Sequence, residues 1–588
     1  MNHQSHQKPF SGPPPQVIVI LKEGVGSVIS KMQSISSMDS GAREAELQQT
    51  LSTNGLELVP VFGETETEVA SFVARAEKAA PAANLSRMST FYIIQTTPDT
   101  NLERVVVDLN QLDIVEGAYI KPFGEPPVYY ESDKPPGSQA DSGGSVPITT
   151  NLTTHQTYLD AAPVGVDARY AWTLAGGRGD GVNIIDVEGG WNFSHEDLAV
   201  NSGGLISGFN HTTDARWFQH GTAVLGEMGG DTNSFGVTGI CPNAQLRAIS
   251  VFTNNMLAYN SAGAIRAAAD ALRTGDVILI EQHRPGPNFP GGDTQMGFIA
   301  IEWWPDDFLA IQYATSKGVI VVEAAGNGSQ NLNDAIYNTP QAGFPSWWRN
   351  PFNRSAGMDC GSIIVGAGAP PPGTNGGNWG AARSRLGFSN HGNCVDTQGW
   401  GSGVTTTGYG DITGTNVNNR NEWYTDFFSG TSSASPIVTG AVACLQGIQR
   451  TARRPILTPS RMRQLLRSTG TAQQAGTGTP VTQRIGNQPN LRQLVQAVVG
   501  ASHWCGVQFT GQVAAGQTQT WFTHSWPDIW QVVWMVVPTS PIQDGNAQIE
   551  FKVQVDRQAF GLLKYFIQIK NLISQTVTVE ARFCVLAS

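Results

Sequence analysis

Charge is scarce in this chain. Only 14% of its 588 residues are Asp, Glu, Lys or Arg, and the balance is acidic, with a formal net charge of -11. No Lys/Arg-rich run of the kind that tracks a phosphate backbone occurs, which argues against nucleic acid as a partner. No apolar stretch is long enough to span a bilayer, and the polar start, from His3 to Pro13-Pro14-Pro15, lacks the apolar centre of a signal peptide. The expectation is a soluble protein without a membrane span, cytoplasmic or exported by a non-classical route. The six cysteines are too few for a disulfide scaffold at this length, and their spacing fits no zinc signature. No repeat of solenoid or propeller period is present.

What the chain does have is glycine (66), proline (33) and room for several cores. That balance suits a loop-rich globular enzyme of two or three domains. Residues 1–13 read as a disordered tail. Residues 14–130 hold apolar runs at Val17 to Leu21 and Phe91 to Ile94 with a helical segment around Leu102 to Leu112, a small α+β domain. Residues 131–159, with Pro135-Pro136-Gly137-Ser138 and Ser142-Gly143-Gly144-Ser145, read as a linker. From 160 to 500, short β-rich runs such as Val182 to Ile185 and Val319 to Val322 alternate with helical stretches such as Ala262 to Leu272. This predicts an α/β fold with a parallel sheet and helices on both faces. Residues 501–588 alternate Thr, Val, Trp and Phe and predict a small β-sandwich, whose tryptophans (Trp504, Trp521, Trp526, Trp530, Trp534) supply its core or a binding face.

Serine-type acyl transfer needs a nucleophile, a base within reach and a group that orients the base. Three places fit. Asp186 follows the run Val182 to Ile185, at the carboxyl end of a predicted strand, where open α/β sheets place their sites. His220 opens His220-Gly221-Thr222-Ala223-Val224, which reads as a helix N-terminus. Ser432 lies in Gly430-Thr431-Ser432-Ser433-Ala434-Ser435-Pro436, ahead of the helix-like Ile437 to Leu445. Each has a plain alternative, as loop acid, structural histidine or helix cap. Their order is Asp, His, Ser, the order of subtilisin. An α/β-hydrolase esterase would need a G-x-S-x-G elbow, which is missing around Ser432, and a catalytically silent scaffold would show a lost triad member.

With these segments and Ala324-Ala325-Gly326-Asn327-Gly328, the chain resembles the subtilisin-like serine proteases, the subtilases, across about residues 160–470. The resemblance implies a serine endopeptidase acting on peptides or proteins, with Asp186, His220 and Ser432 as triad and Asn327 as oxyanion donor. Two departures stand out. The acid motif reads Asp186-Val187-Glu188-Gly189, which adds the Glu188 carboxylate near the site. The strand that pairs with substrate in relatives reads Glu281-Gln282-His283-Arg284 and is followed by an insertion with Glu302-Trp303-Trp304-Pro305-Asp306. These side chains either line the non-primed subsites or pack the insertion itself.

The resemblance also implies Ca²⁺. Asp231-Thr232-Asn233-Ser234-Phe235-Gly236-Val237 looks like the family's calcium loop and Asp197 like its partner acid, so Asp197, Asn233, Asp231, Phe235 and Val237 are the expected ligands. Asp396 matches a weaker calcium position, where a structural acid is the preferred reading. Cys360 with Cys394, and Cys505 with Cys584, are candidate disulfides, whereas Cys241 and Cys444 read as buried thiols. Residues 14–130 resemble the subtilase propeptide. They are expected to act as an intramolecular inhibitor, with a tail near Pro126-Pro127-Val128-Tyr129-Tyr130 in the cleft and a processing cut between Glu131 and about Asp160.

Overall fold

The structure is a computed structural model. It describes residues 13–23, 42–63, 65–79, 84–95, 100–128, 149–200, 202–254, 258–356, 358–414, 416, 418–499, 504–528, 530–543, 545–558 and 562–587. Tyr129, Tyr130 and residues 131–148 of the expected linker lie outside these.

The N-terminal domain is a four-stranded antiparallel sheet of β1 (Gln16–Leu21), β2 (Glu57–Pro60), β3 (Phe91–Gln95) and β4 (Val115–Lys121), in the order β2-β3-β1-β4. It is accompanied by α1 (Ala42–Thr53), α2 (Glu66–Ala79) and α3 (Leu102–Asn110). Side chains alternate across a strand, yet β1 is apolar from Val17 to Leu21 because both of its faces are buried there. Val17, Val19 and Leu21 pack with Leu47, Leu51, Val105 and Leu109 in the domain's own core. Ile18 and Ile20 turn the other way, into one cluster with Ile185, Trp303, Trp304 and Ile311 of the catalytic body.

The catalytic body is a seven-stranded sheet in the order β13-β12-β11-β8-β5-β7-β6, parallel at every junction. Its strands are β5 (Asn183–Glu188), β6 (Ser202–Ser207), β7 (Gln245–Ser250), β8 (Val277–Ile280), β11 (Ile320–Ala324), β12 (Ile363–Gly368) and β13 (Val395–Trp400). Between β8 and β11 the antiparallel pair β9 (His283–Pro285) and β10 (Phe298–Ala300) leaves the sheet. A second pair, β14 (Val404–Thr413) and β15 (Trp423–Phe428), follows β13. Helices α4 (Ala215–Gly229), α5 (Ser261–Asp270), α6 (Pro305–Ser316), α7 (Thr431–Thr451) and α8 (Pro459–Ser468) complete the body. After β5 the chain builds β6 and β7 on one side and β8 on the other, so the carboxyl end of β5 is a topological switch point. Residues 149–159, assigned to the linker on composition, belong to this body: the Leu152 N–H donates to Gly236 O at 2.7 Å, and Tyr158 and Leu159 are buried.

The C-terminal unit consists of two three-stranded antiparallel sheets, β16-β21-β18 and β17-β20-β19, from β16 (Trp504–Val513), β17 (Thr518–Pro527), β18 (Gln531–Ser540), β19 (Ile549–Gln558), β20 (Leu562–Asn571) and β21 (Val577–Ala587). Trp526 and Trp534 are buried in its core, with Trp521 and Trp530 packed against them. These tryptophans are core, not a binding face. Cys505 and Cys584 sit opposite each other on β16 and β21 and form a disulfide. Among the described residues, no helix is long and apolar enough to cross a membrane.

A buried polar knot joins the N-terminal domain to the insertion. Lys121, at the end of β4, contacts both Asp306 and Asp307 of α6; Asp306 Oδ1 accepts from the Tyr119 hydroxyl at 2.8 Å, and Arg284 reaches Asp307 at 3.2 Å. The insertion therefore faces the N-terminal domain rather than the substrate cleft, with Trp303 and Trp304 stacked edgewise among Phe344 and Trp348. Removing one partner of a buried ion pair leaves the other uncompensated, a loss of about 3–5 kcal/mol. Lys121→Met should lower the unfolding free energy of the whole chain by that order in chemical denaturation. A loss under about 1 kcal/mol, the usual size for an exposed pair, would show that the knot is solvated.

Candidate functional site

Strand β5 runs on past the apolar stretch that marks it in the sequence and ends at Glu188. Asp186 and Glu188 are two residues apart and share a face. The terminal residue, not Asp186, meets the histidine: Glu188 Oε2 lies 2.6 Å from His220 Nδ1, and both side chains are wholly buried. Asp186 Oδ2 instead accepts the Trp191 indole N–H at 2.7 Å. The expectation that Asp186 orients the histidine is thus overturned, because the indole holds that carboxylate two residues short of the strand end.

His220 is also not at a helix N-terminus. Helix α4 begins at Ala215, behind the Asp214 N-cap, whose side chain accepts from the Arg216 N–H, and His220 sits one turn further in. The small residue after it has a steric cause. A Cβ on Gly221 would lie 1.9 Å from Glu188 Oε1 and 2.4 Å from Gly190 O, so only glycine lets this helix approach the end of β5.

Ser432 lies in the first turn of α7, behind Gly430, whose φ of +112° suits glycine alone. Its hydroxyl donates to the carbonyl of Pro127 at 2.8 Å, and His220 Nε2 has no hydrogen-bond partner. The segment that delivers Pro127 is the end of the N-terminal domain. Glu125 and His283 exchange two backbone hydrogen bonds at 3.1 Å each, which adds the tail as an antiparallel strand to β9. Val128 forms an antiparallel bridge with Gly430, and its N–H turns back to Pro126 O at 2.8 Å.

Asn327 follows β11. Its Oδ1 accepts from the backbone N–H and the hydroxyl of Thr431, both at 2.9 Å, which fixes the amide with its N–H₂ facing the cleft. There Nδ2 donates to Gln295 Oε1 at 3.0 Å, and Gln295 Nε2 in turn donates to Glu125 Oε1 at 2.8 Å and Pro126 O at 3.2 Å. Sequence reasoning missed Gln295. It also missed that His283 fixes the oxyanion segment, by accepting the Asn327 backbone N–H on Nδ1 at 3.1 Å.

The electrostatics follow from dryness. Burial holds the His220 pKa down at about 3, aided by nearby His283, so the imidazole is neutral. Burial raises Asp186 to about 7 and Glu188 well above the usual carboxylate range, the latter also through the neighbouring charges of Asp186 and Glu281. Glu281 is raised likewise, although it accepts the Ser435 hydroxyl at 2.5 Å. A serine hydroxyl on a peptide carbonyl, together with a buried imidazole that meets a carboxylate on Nδ1, supplies the group types that acyl transfer needs.

The expected calcium ligands are together but do not present an oxygen cage. Asp197 accepts from Asn233 Nδ2 at 2.5 Å and from the Val237 N–H at 2.6 Å. Asn233 Oδ1 accepts the Phe235 N–H at 2.9 Å, and Asp231 is capped by the N–H groups of Ala199 and Val200. Donors thus stand where a hard cation needs acceptors. Asp396, the weaker candidate, is gripped by Arg354, with Nη1 2.9 Å from both carboxylate oxygens, and by Arg467 at 2.6 Å. Cys360 and Cys394 are separate buried thiols, as are Cys241 and Cys444.

The profile described as Subtilase family matches residues 179–487, just over half of the chain. Subtilisin DY of Bacillus licheniformis is 28% identical over 298 residues, 50% of this chain and 86% of that protein. Subtilisin E of Bacillus subtilis (strain 168) is 26% identical over 316 residues, 53% of this chain and 67% of that protein. A protein of Trichormus variabilis named calcium-dependent protease is 28% identical over 288 residues, 47% of this chain and 40% of that protein. Among solved structures, fervidolysin from Fervidobacterium pennivorans, a keratinolytic enzyme related to subtilisin, aligns with TM-score 0.48 at 16% identity, over 96% of this chain and 70% of that one.

A ligand held only by the folded state stabilises it by RT ln(1 + [L]/Kd), about 2.7 kcal/mol at a hundredfold excess. Because the Asp197 loop is closed on itself by N–H donors, chelator and millimolar Ca²⁺ should give the same melting temperature. A Ca²⁺-dependent rise that disappears in Asp197→Asn would show that the loop re-forms around the ion.

Proposed function

The chain belongs to the subtilase family of serine endopeptidases, and from that premise we propose that Ser432, His220 and Glu188 are its catalytic triad, Asn327 its oxyanion donor, and the N-terminal domain an inhibitor whose tail fills the cleft. The observation that carries this reading is the Ser432 hydroxyl on the Pro127 carbonyl, two residues beyond a strand pairing at Glu125.

On this reading Ser432 Oγ attacks the carbonyl carbon and its proton passes to His220 Nε2, which later returns it to the leaving amine. Glu188 keeps the second imidazole proton on Nδ1 and stabilises the imidazolium as it forms. The negative charge on the former carbonyl oxygen is met by the Ser432 N–H, at a helix N-terminus, and by Asn327 Nδ2 once it exchanges Gln295 for the oxyanion. The tail is bound as substrates bind, by main-chain pairing to β9. Its register presents the Pro127–Val128 bond to the nucleophile, so self-processing falls there, upstream of the cut expected from linker composition. A tethered tail has a high effective concentration, and cleavage makes the block reversible.

Calcium has no step here, since the Asp197 loop does not fit the ion as it is arranged.

Glu188→Gln should lower kcat by about 10⁴, the loss known for an amide in place of a triad carboxylate, whereas Asp186→Asn should stay near the parent activity. The opposite ranking would return the orienting role to Asp186. Intact mass of freshly purified chain, compared with Ser432→Ala, should show a fragment ending at Pro127 in the active form alone. An uncut, fully active chain that ignores an added N-terminal domain would remove the inhibitor assignment.

A further inference from the structure

Away from the cleft, three side chains from separate parts of the chain converge in a dry region. Glu302 lies in the insertion just ahead of α6, Glu323 is in β11, and Cys360 comes shortly before β12. One ligand atom from each lies within 4.8 Å of the other two. Glu302 and Glu323 are fully buried and Cys360 is 3% exposed.

Their polar atoms are poorly satisfied. Glu302 Oε2 accepts from the Cys360 thiol at 2.8 Å and the Ser362 hydroxyl at 2.6 Å, but Glu302 Oε1 has no hydrogen-bond partner. Glu323 faces this pair, within hydrogen-bonding reach of Glu302 and Ser362 and repelled by the Glu302 charge. The nearest cation, Arg354, donates to Ser362 O and Oγ at 3.2 and 3.4 Å and spends its Nη1 on Asp396. An unpaired carboxylate in such a place is expensive. Either protons or a metal ion must neutralise the pair.

We propose that Glu302, Glu323 and Cys360 bind a transition-metal dication, best suited to Zn²⁺, with the Ser362 hydroxyl or a water as fourth ligand. Zinc takes tetrahedral sets of thiolate and carboxylate with bonds of about 2.3 and 2.0–2.2 Å, which puts ligand atoms about 3.4–3.6 Å apart. The cluster's span of up to 4.8 Å brackets this spacing, with Cys360 Sγ and Glu302 Oε2 at 2.8 Å having to move apart to admit the ion. The thiolate excludes hard Ca²⁺ and Mg²⁺. Two carboxylates and a thiolate carry three negative charges, which the dication and the neighbouring Arg354 guanidinium together cancel. A cavity of about 760 Å³ lies nearby, lined by Arg354, Asp359, Cys394 and Arg463, and Arg354 also hydrogen-bonds Ser362. The ion would clamp β11, four residues before Asn327, to the insertion and to β12.

The full-length Ser432→Ala chain, which cannot digest itself, would be produced with Zn²⁺ and separately with Co²⁺ in the growth medium. Elemental analysis after gel filtration should find about one metal per chain. The cobalt form should show a thiolate-to-metal charge-transfer band, lost on adding Cys360→Ala, and Glu323→Gln should lose the metal. Asp197→Asn, on the calcium loop, should keep it. Metal-free protein from both media without that band, or a protonated-carboxyl infrared absorption that vanishes in Glu323→Gln, would establish a shared proton and overturn the site. The readings on the Ser432→Ala parent decide the matter even if a further variant fails to fold.

Discussion

The contact between Glu188 and His220 is the constraint around which the rest of the catalytic body is arranged. A carboxylate and an imidazole at 2.6 Å are useful only if the pair is dry, because water weakens their attraction and lets the ring turn. Dryness in turn requires the helix to touch the strand end, which only Gly221 permits. It also needs a lid on the open side, supplied by Phe428, whose ring lies edge-on to the imidazole at 5.4 Å. The carboxyl end of β5 is a switch point of the sheet, so the chain vacates that end on both sides and leaves space for the site.

The same dryness gathers an acidic group behind the histidine. Asp186, Glu188, Glu227 and Glu281 are all fully buried, and among the described residues no arginine or lysine forms an ion pair with any of them. Such a group survives by holding protons and through single donors: the Trp191 indole for Asp186 and the Ser435 hydroxyl for Glu281. Glu188 alone among them has a basic partner, and this difference in partner selects which carboxylate serves the histidine.

Much of this was legible in the sequence. The strands around Val19, Ile93, Ile184 and Val321 announced themselves as apolar runs, and the segments bearing His220, Asn327 and Ser432 by their resemblance, in order, to subtilase motifs. Asp186 drew attention because it ends the apolar run, but the strand itself continues to Glu188. An apolar pattern marks where a strand is buried, not where its hydrogen bonding stops, and the rule about carboxyl ends applies to the hydrogen-bonded end. The Asp197 loop shows another limit. Its oxygen-rich composition is plain, but whether the backbone turns N–H or C=O inward is a matter of local dihedrals that composition does not encode. The Glu302, Glu323 and Cys360 cluster was invisible for a third reason, since its members are separated by 21 and 37 residues and lie in the insertion, in β11 and ahead of β12, which only the folded chain brings together.

The insertion after β10 connects these themes. Its aromatic pair Trp303-Trp304 and its acids Asp306 and Asp307 are turned toward the N-terminal domain, where Ile18, Ile20, Phe91 and Tyr119 complete one apolar cluster with them. Cutting the tail at Pro127 would sever the covalent tie but leave this contact in place. The ionic knot resists separation little, because Lys121, Asp306 and Asp307 all regain water on release. The apolar surface around Tyr119 and Trp304 resists it more, at roughly 25 cal/mol for each Å² exposed. On the proposed reading, tail cleavage and departure of the domain are therefore separate events with separate physical controls. The first depends on the chemistry at Ser432 and the second on the hydrophobic contact with the insertion.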